Sequence, residues 1–377
     1  MEKKSITLVI WILAMLFVLA SGSLTFAGES RVVLDAMQRE VEVPLNVQRI
    51  LCSGSGALRL ITYLQCQDKI IGVDDMEKKR IKFDARPYAL ANQQFKNYPI
   101  FGEFRGHDNP EIIMGFDPLP QVIFKTFHTM GYDPAELQEK TEIPVITLAY
   151  GDFANKREQF YQALTIVGKV MKKEERARQV ILFFKSQIEE LEQRTKDISE
   201  KDQKSCFVGG VASKGPHGFQ STEPLYPPFQ FVNVVNVATT PDLAGKNLSH
   251  SNISKEKLIQ WDPEILFIDL STLQMGEKTG GLYELKTDPV FQAMSAVEKN
   301  DVFGLLPYNW YAQNFGSILA NAWFIGKLIH ADRFKDIDPE KKADEIYTFL
   351  VGKPVYKTMN NNFQNLAFKR VALSDDL

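Results

Sequence analysis

Residues 109–127 read NPEIIMGFDPLPQVIFKTF, and residues 253–272 read ISKEKLIQWDPEILFIDLST. Each stretch sets an acid at the start of a short helical pattern, Glu111 in the first and Glu256 in the second, followed by an Asp-Pro turn and an unbroken apolar run. An apolar run of strand length that does not alternate with polar residues reads as a strand buried on both faces. Such strands belong to parallel sheets covered by helices, so a unit of helix, turn and buried strand written twice predicts two related α/β lobes.

The flanking segments keep the same grammar. QRILCSG (48–54) is a buried strand running into Ser53-Gly54-Ser55-Gly56, ALRLITYLQ (57–65) has helical spacing, and KIIGVDD (69–75) and IPVITLAYG (143–151) are further strands. In the second half KSCFVGGVA (204–212) and DVFGLLP (301–307) play the same part. Between the halves, residues 155–204 carry apolar positions three and four apart and no proline, with a break at Met171-Lys172-Lys173. Glu174 to Ile198 then form one helix about 37 Å long, a strut between compact lobes. The expected boundaries are an N-terminal lobe over 31–172, a connecting helix over 173–200 and a C-terminal lobe over 201–377.

Composition narrows the class. The chain has 377 residues, 44% hydrophobic and 24% charged, enough for two domains with real cores. A formal charge of -3 leaves no basic surplus for nucleic acid or anionic membrane. The opening residues place Lys3 and Lys4 before an apolar run from Ile6 to Ala20 and then Thr25-Phe26-Ala27, which reads as a secretory signal (1–27) cleaved near Ala27. No cysteine follows that run, so the attachment pattern of lipoproteins is missing and the expected compartment is a periplasm. Cys52, Cys66 and Cys206 match no metal spacing; a Cys52–Cys66 bridge and buried free thiols both remain open.

RVVLDAMQREVEVPLNVQRILCSGSGALRLITYLQCQDKIIGVDD (31–75) carries Asp35, Arg39, Val43-Pro44, Val47, Arg49-Ile50 and Gly72-Val73. In that order and spacing it resembles the start of the substrate-binding proteins of ABC importers for iron-siderophores, haem and cobalamin. The resemblance continues through GKVMKKEERARQVI and HADRFKDIDPEKKADEIYTFLVGKPVY. It implies two Rossmann-like α/β lobes joined by a single long helix, with a ligand cleft between them and little hinge motion. It also implies a partner, a permease dimer with a cytoplasmic ATPase, and a monomeric binding protein with no intrinsic cofactor. In that family an acid on each lobe docks against permease arginines, and the matching residues are Glu111 and Glu256.

Ligands in open parallel sheets meet the loops at the carboxyl ends of strands. Those ends carry Ser53 and Ser55, then Phe104, Arg105 and His107 in FGEFRGH, then Phe127 and His128, and Tyr150. In the second lobe they carry SKGPHGFQSTEPLYPPF (213–229), expected to be an irregular cleft wall with His217 and Tyr226 as contacts, then Ser271, and then Tyr308, Trp310 and Tyr311. A bulky metal chelate presents flat apolar faces that suit these aromatics, and anionic edges that suit Arg86 and Arg105. His107, His128 and His217 are the candidate metal ligands. The expected cargo is a ferric siderophore or related iron complex; haem, cobalamin or another tetrapyrrole, nickel, and molybdate or tungstate are the alternatives.

A secreted enzyme is the competing class. The chain lacks His-Glu-x-x-His, Gly-x-Ser-x-Gly and a Walker loop, and GSGALR sets Arg59 where a dinucleotide fold needs its third glycine.

Overall fold

The computed structural model describes residues 29–79, 82–239 and 250–373. The expected signal segment lies outside the described residues. Among the described residues no helix is long and apolar enough to cross a membrane.

The chain opens with an antiparallel hairpin of β1 (Ser30–Leu34) and β2 (Glu40–Pro44). Its turn explains the Asp-x-x-x-Arg spacing. Asp35 accepts the Met37 and Arg39 backbone N–H groups at 2.9 and 3.0 Å, and the Arg39 guanidinium returns to it at 2.7 and 3.0 Å. Burial raises the Asp35 pKa, but hydrogen bonds from Thr147 and Arg39 outweigh it and hold the carboxyl below its ordinary value.

In the first lobe β3 (Ile50–Ser53), β7 (Val122–Thr126) and β8 (Val145–Leu148) form a parallel sheet with β7 in the middle. A smaller sheet beside it joins β4 (Val73–Asp74), β5 (Ile100–Glu103) and β6 (His107–Asp108). In the second lobe β9 (Ser205–Gly209), β11 (Val235–Asn236), β13 (Ile265–Asp269) and β14 (Val302–Leu305) form a parallel sheet in the order β11-β9-β13-β14. A short ribbon of β10 (Ser221–Thr222) and β12 (Ser251–Asn252) lies against β9. The unit that occurs twice in the sequence therefore supplies an interior strand of each parallel sheet, β7 in one and β13 in the other. Both strands are buried almost throughout, which is why neither alternates.

The strut is real and slightly shorter than expected. Helices Arg157–Met171 and Glu174–Thr195 meet at Lys172, whose left-handed φ of 53° breaks the run. Ala177, Val180, Phe184, Ile188 and Leu191 form the buried stripe of the longer helix, about 33 Å long. Its two ends hold different parts of the chain. Arg176 donates to the Tyr63 carbonyl at 3.0 Å, while Arg194 pairs with Asp336 at 2.7 Å. Helices Pro339–Val351 and Tyr356–Asn362 reach back to pack on Ala57–Tyr63 and Pro87–Ala91 of the first lobe.

The joint between the lobes is aromatic. Phe160 stacks on Phe315 with centroids 4.0 Å apart, and Phe153 meets Phe184, Phe231 and Phe315. These rings come from both lobes and the strut and belong to one continuous buried cluster, so the lobes share a core. A shared core resists hinge opening.

Candidate ligand cleft between the lobes

The carboxyl ends of the two parallel sheets face one another, and the loops there make direct contact. Arg59, buried on helix Ala57–Tyr63, reaches out of the first lobe into residues 310–313 of the second. Its Nη2 donates to the Trp310 and Tyr311 carbonyls, each at 3.2 Å, and its Nη1 to the Gln313 carbonyl at 3.0 Å and to the Tyr150 hydroxyl. The Tyr150 hydroxyl donates to the Gln313 carbonyl at 2.6 Å. On the far side of the loop the Tyr311 hydroxyl donates to Asp74 and accepts the Arg105 backbone N–H at 3.3 Å. Tyr311 and Ala312 both have positive φ, 49° and 63°, which turns the loop toward the first lobe.

Glycines make this approach feasible. A Cβ on Gly56 would stand 2.3 Å from the Tyr150 ring, and one on Gly131 would stand 1.7 Å from the Gly106 carbonyl. The second contact presses the loop after β7 onto the β5–β6 turn. Phe127, at the start of that loop, stays 39% exposed with its ring stacked on Tyr150. Arg105 lies over the Phe104 ring at 5.1 Å, and among the described residues no carboxylate pairs with its guanidinium. Phe104, Arg105 and Tyr311 are linked in turn, and Phe127 is linked through Tyr150 and Arg59 to Trp310; His128 is exposed next to Phe127 in the chain. His107, on β6, is exposed nearby.

Other candidates have different surroundings. Arg86 is buried and held by Asp84 at 2.8 and 2.9 Å and by Glu77 at 2.9 Å, so its guanidinium faces carboxylates rather than the cleft. Ser53 is buried against Lys125 at 3.1 Å, and the Ser55 carbonyl accepts from Thr126 at 2.9 Å. Ser271 donates to the Gly210 carbonyl at 3.1 Å. Tyr226 packs on Phe229 and Tyr308 in the interior, and the Tyr308 hydroxyl donates to the buried Glu223 carboxylate. Residues 213–229 are less irregular than expected: they contain β10 and the start of helix Pro227–Phe231. His217 lines a groove of about 450 Å³ with Gln220, Ser221, Asn252 and Glu284, beside the start of helix Lys255–Trp261. All three cysteines are free and buried.

Burial tunes the carboxyls behind the cleft. Desolvation and then repulsion from Glu77 push Asp74 up to about 7. Desolvation lifts Glu223 to about 8 against the lowering effect of the Tyr308 hydrogen bond, and Asp269 to about 6. The residues missed in the sequence are Arg59, Asp74, Lys125 and Glu223. Arg59, Lys125 and Glu223 are each a lone ionisable group in or beside an apolar or aromatic run, a placement that requires a partner, whereas Asp74 opens a charged run and carries no such signal.

Glu111 and Glu256 are both exposed, each in the first turn of a short helix. Asn109 caps one helix by accepting the Ile112 N–H at 3.1 Å, and Ser254 caps the other by accepting the Lys257 N–H at 3.3 Å. Ile112, Met114 and Leu119 lie exposed around the first acid and Ile259 near the second.

Two parallel-sheet lobes on a helical strut, meeting through loops at their strand ends, define a two-lobed binding protein rather than an enzyme. The family model described as periplasmic binding protein matches residues 111–308, more than half of the chain, and the chain belongs to that family. The molybdate-binding protein MolA of Haemophilus influenzae is 20% identical over 351 residues, covering 86% of this chain and 92% of that protein. Its molybdate-bound structure superposes with a TM-score of 0.65 at 16% identity, covering 86% of this chain and 98% of that one. A periplasmic solute binding protein from Veillonella parvula gives 0.67 at 16% identity, covering 89% and 97%. The petrobactin-binding protein YclQ from Bacillus subtilis gives 0.55 at 17% identity, covering 81% and 99%.

Proposed function

We propose that this protein captures an anionic metal complex in the periplasm and delivers it to an ABC permease. The observation that carries the reading is Arg105, a cation with no paired carboxylate among the described residues, set on the Phe104 ring and joined through its backbone N–H to Tyr311 of the other lobe. Aromatic faces with one available guanidinium suit a flat, negatively charged chelate, and a ferric siderophore is the first choice of cargo. The partly exposed Tyr311 ring and the exposed His128 complete the proposed contact set; Tyr150, Trp310, Arg86, Tyr226, Tyr308 and Ser271 drop out because they are buried in the protein.

A metal oxyanion of the molybdate kind is the second reading. It is favoured by the direct bonds of Arg59, Tyr150 and Tyr311 across the lobes, which fill the inner end of the cleft with protein. The named relative that binds molybdate points the same way. Native mass spectrometry and thermal-shift assays against ferric siderophores, haem, corrinoids, molybdate, tungstate and nickel separate these readings. A siderophore that raises the melting temperature in wild type but not in Arg105→Ala supports the first. Stabilisation by molybdate or tungstate alone transfers the proposal to the oxyanion. No response to any compound on the panel overturns both.

Glu111 and Glu256 are proposed as the permease-docking acids, supported by their exposure, matched positions and apolar surroundings. Reversing both to lysine abolishes uptake while leaving cargo affinity unchanged. Altered affinity would put them in the cleft instead.

A further inference from the structure

Two of the five histidines in the chain lie together away from the interlobe contacts: the His217 and His250 rings are 5.2 Å apart between centroids and 38° apart in plane. Their hydrogen bonds fix which nitrogen carries the proton. The His217 Nε2 is 2.8 Å from the Ser213 carbonyl, which can only accept, so Nε2 bears the hydrogen. The His250 Nε2 is 2.8 Å from the Ser221 hydroxyl, and that hydroxyl donates its own hydrogen to the Val211 carbonyl at 2.6 Å. His250 must therefore also donate through Nε2. In the neutral rings both Nδ1 atoms are left as lone-pair donors, each oriented by a bond on the opposite nitrogen, the arrangement typical of metal-ligating imidazoles.

The spacing agrees with this chemistry. With a metal–nitrogen bond of about 2.05 Å, the centroid of a ligating imidazole stands about 3.2 Å from the ion, and two such rings at a tetrahedral angle are about 5.2 Å apart. Glu284 adds negative charge at the edge of the pair. It accepts the Phe219 N–H at 2.7 Å, and its carboxylate lies against Gly218, next to His217.

We propose that His217 and His250 form a binding site for a borderline divalent ion of the nickel, copper or zinc type, through their two Nδ1 atoms. Among the described residues no three His, Cys, Asp or Glu side chains converge as a complete cage. The ion therefore keeps open positions for water or for donor atoms brought by another molecule. Two imidazoles select a nitrogen-preferring ion over magnesium or calcium. The residues lining the His217 groove include none of the proposed cargo contacts, so the site is argued independently of what the cleft carries.

The test is titration of the mature protein, free of cargo, with Ni(II), Cu(II) and Zn(II) in calorimetry, with the Cu(II) form examined by electron paramagnetic resonance. The expected result is one ion per protein, nitrogen hyperfine structure from two imidazoles, and at least tenfold weaker binding in His217→Gln and in His250→Gln. Glutamine supplies an N–H for the Ser213 or Ser221 bond but no imidazole lone pair, so unchanged melting curves separate lost ligation from lost folding. His107→Gln and His128→Gln leave the affinity unchanged. Failure of the wild type to bind any of the three ions, or undiminished binding in the His217→Gln/His250→Gln double variant, overturns the site. Neither result bears on cargo capture, which is scored separately by the siderophore and oxyanion panel.

Discussion

Replacing Glu223 by glutamine makes the protein more stable at alkaline pH and leaves it nearly unchanged in mild acid. Glu223 is buried, and its carboxylate accepts the Tyr308 hydroxyl hydrogen. That bond favours the ionised form, but desolvation is the larger effect and lifts the group from 4.5 to about 8. With the folded-state value above the unfolded one, the native protein holds a proton that the unfolded chain has released. The stabilisation is complete below about pH 4.5 and is lost as pH rises through about 8. At about 1.4 kcal/mol per pH unit, crossing this window removes about 5 kcal/mol from the wild type. Glutamine has no proton to lose and can still accept from Tyr308. Urea denaturation of both proteins at pH 5 and pH 8.5 measures the effect. The expected gap is under ~1 kcal/mol in acid and several kcal/mol at pH 8.5. A difference that does not change with pH would refute the reasoning, because it would mean that Glu223 has the same proton affinity folded and unfolded.

Three more outcomes follow from the buried charges and thiols. Arg59→Leu removes the guanidinium bonds to the Trp310, Tyr311 and Gln313 carbonyls, of which Trp310 and Gln313 keep donors in Asn314 and Tyr150, and destabilises the protein by about 3 kcal/mol, with a larger radius of gyration in solution scattering as the lobes loosen. Lys125→Met strands Asp108, which pairs with Lys125 at 2.5 Å where both are fully buried, and costs about 3–5 kcal/mol; in urea denaturation the double change Lys125→Met/Asp108→Leu recovers much of that loss. Cys52, Cys66 and Cys206 are buried with their thiol pKa values pushed up mainly by desolvation, so an aromatic disulfide reagent labels none of them in the native protein and all of them in denaturant.

The fold was legible because two periodicities and one repeat agree. The unit of helix, Asp-Pro turn and apolar strand marked two interior strands, and the break at Met171-Lys172-Lys173 marked the joint between helices because three polar or flexible positions interrupt the apolar stripe. Asp35 and Arg39 were legible as a spacing, and their reason is a turn that consumes every one of its short-range bonds. The cleft was legible only as a set of loops. Strand ends can be counted along a sequence, but which loop crosses to the other lobe depends on a side chain such as Arg59, whose partners lie 251 to 254 positions away. Arg86 and Arg105 illustrate the limit. Both follow turn signals and look equally free in the sequence, yet Glu77 and Asp84 fold onto one of them and leave the other.

The buried lysine of the first lobe shows why the cleft face of that lobe moves as one piece. Lys125 sits near the end of β7 and donates to Ser53 at the end of β3, to the Gly106 carbonyl beside Arg105, and to Asp108. The next residue, Asn109, caps the helix that presents Glu111. One ammonium group therefore ties together a cleft loop, the turn carrying the proposed ligand-binding arginine, and the start of the proposed docking helix. Displacing any of the three leaves a buried charge short of partners, at a cost of several kcal/mol. A ligand that contacts Arg105 cannot gain by swinging this turn freely. The expectation is a Glu111 surface of the same shape with and without cargo, measured as unchanged amide hydrogen exchange over residues 106–114 when cargo is added.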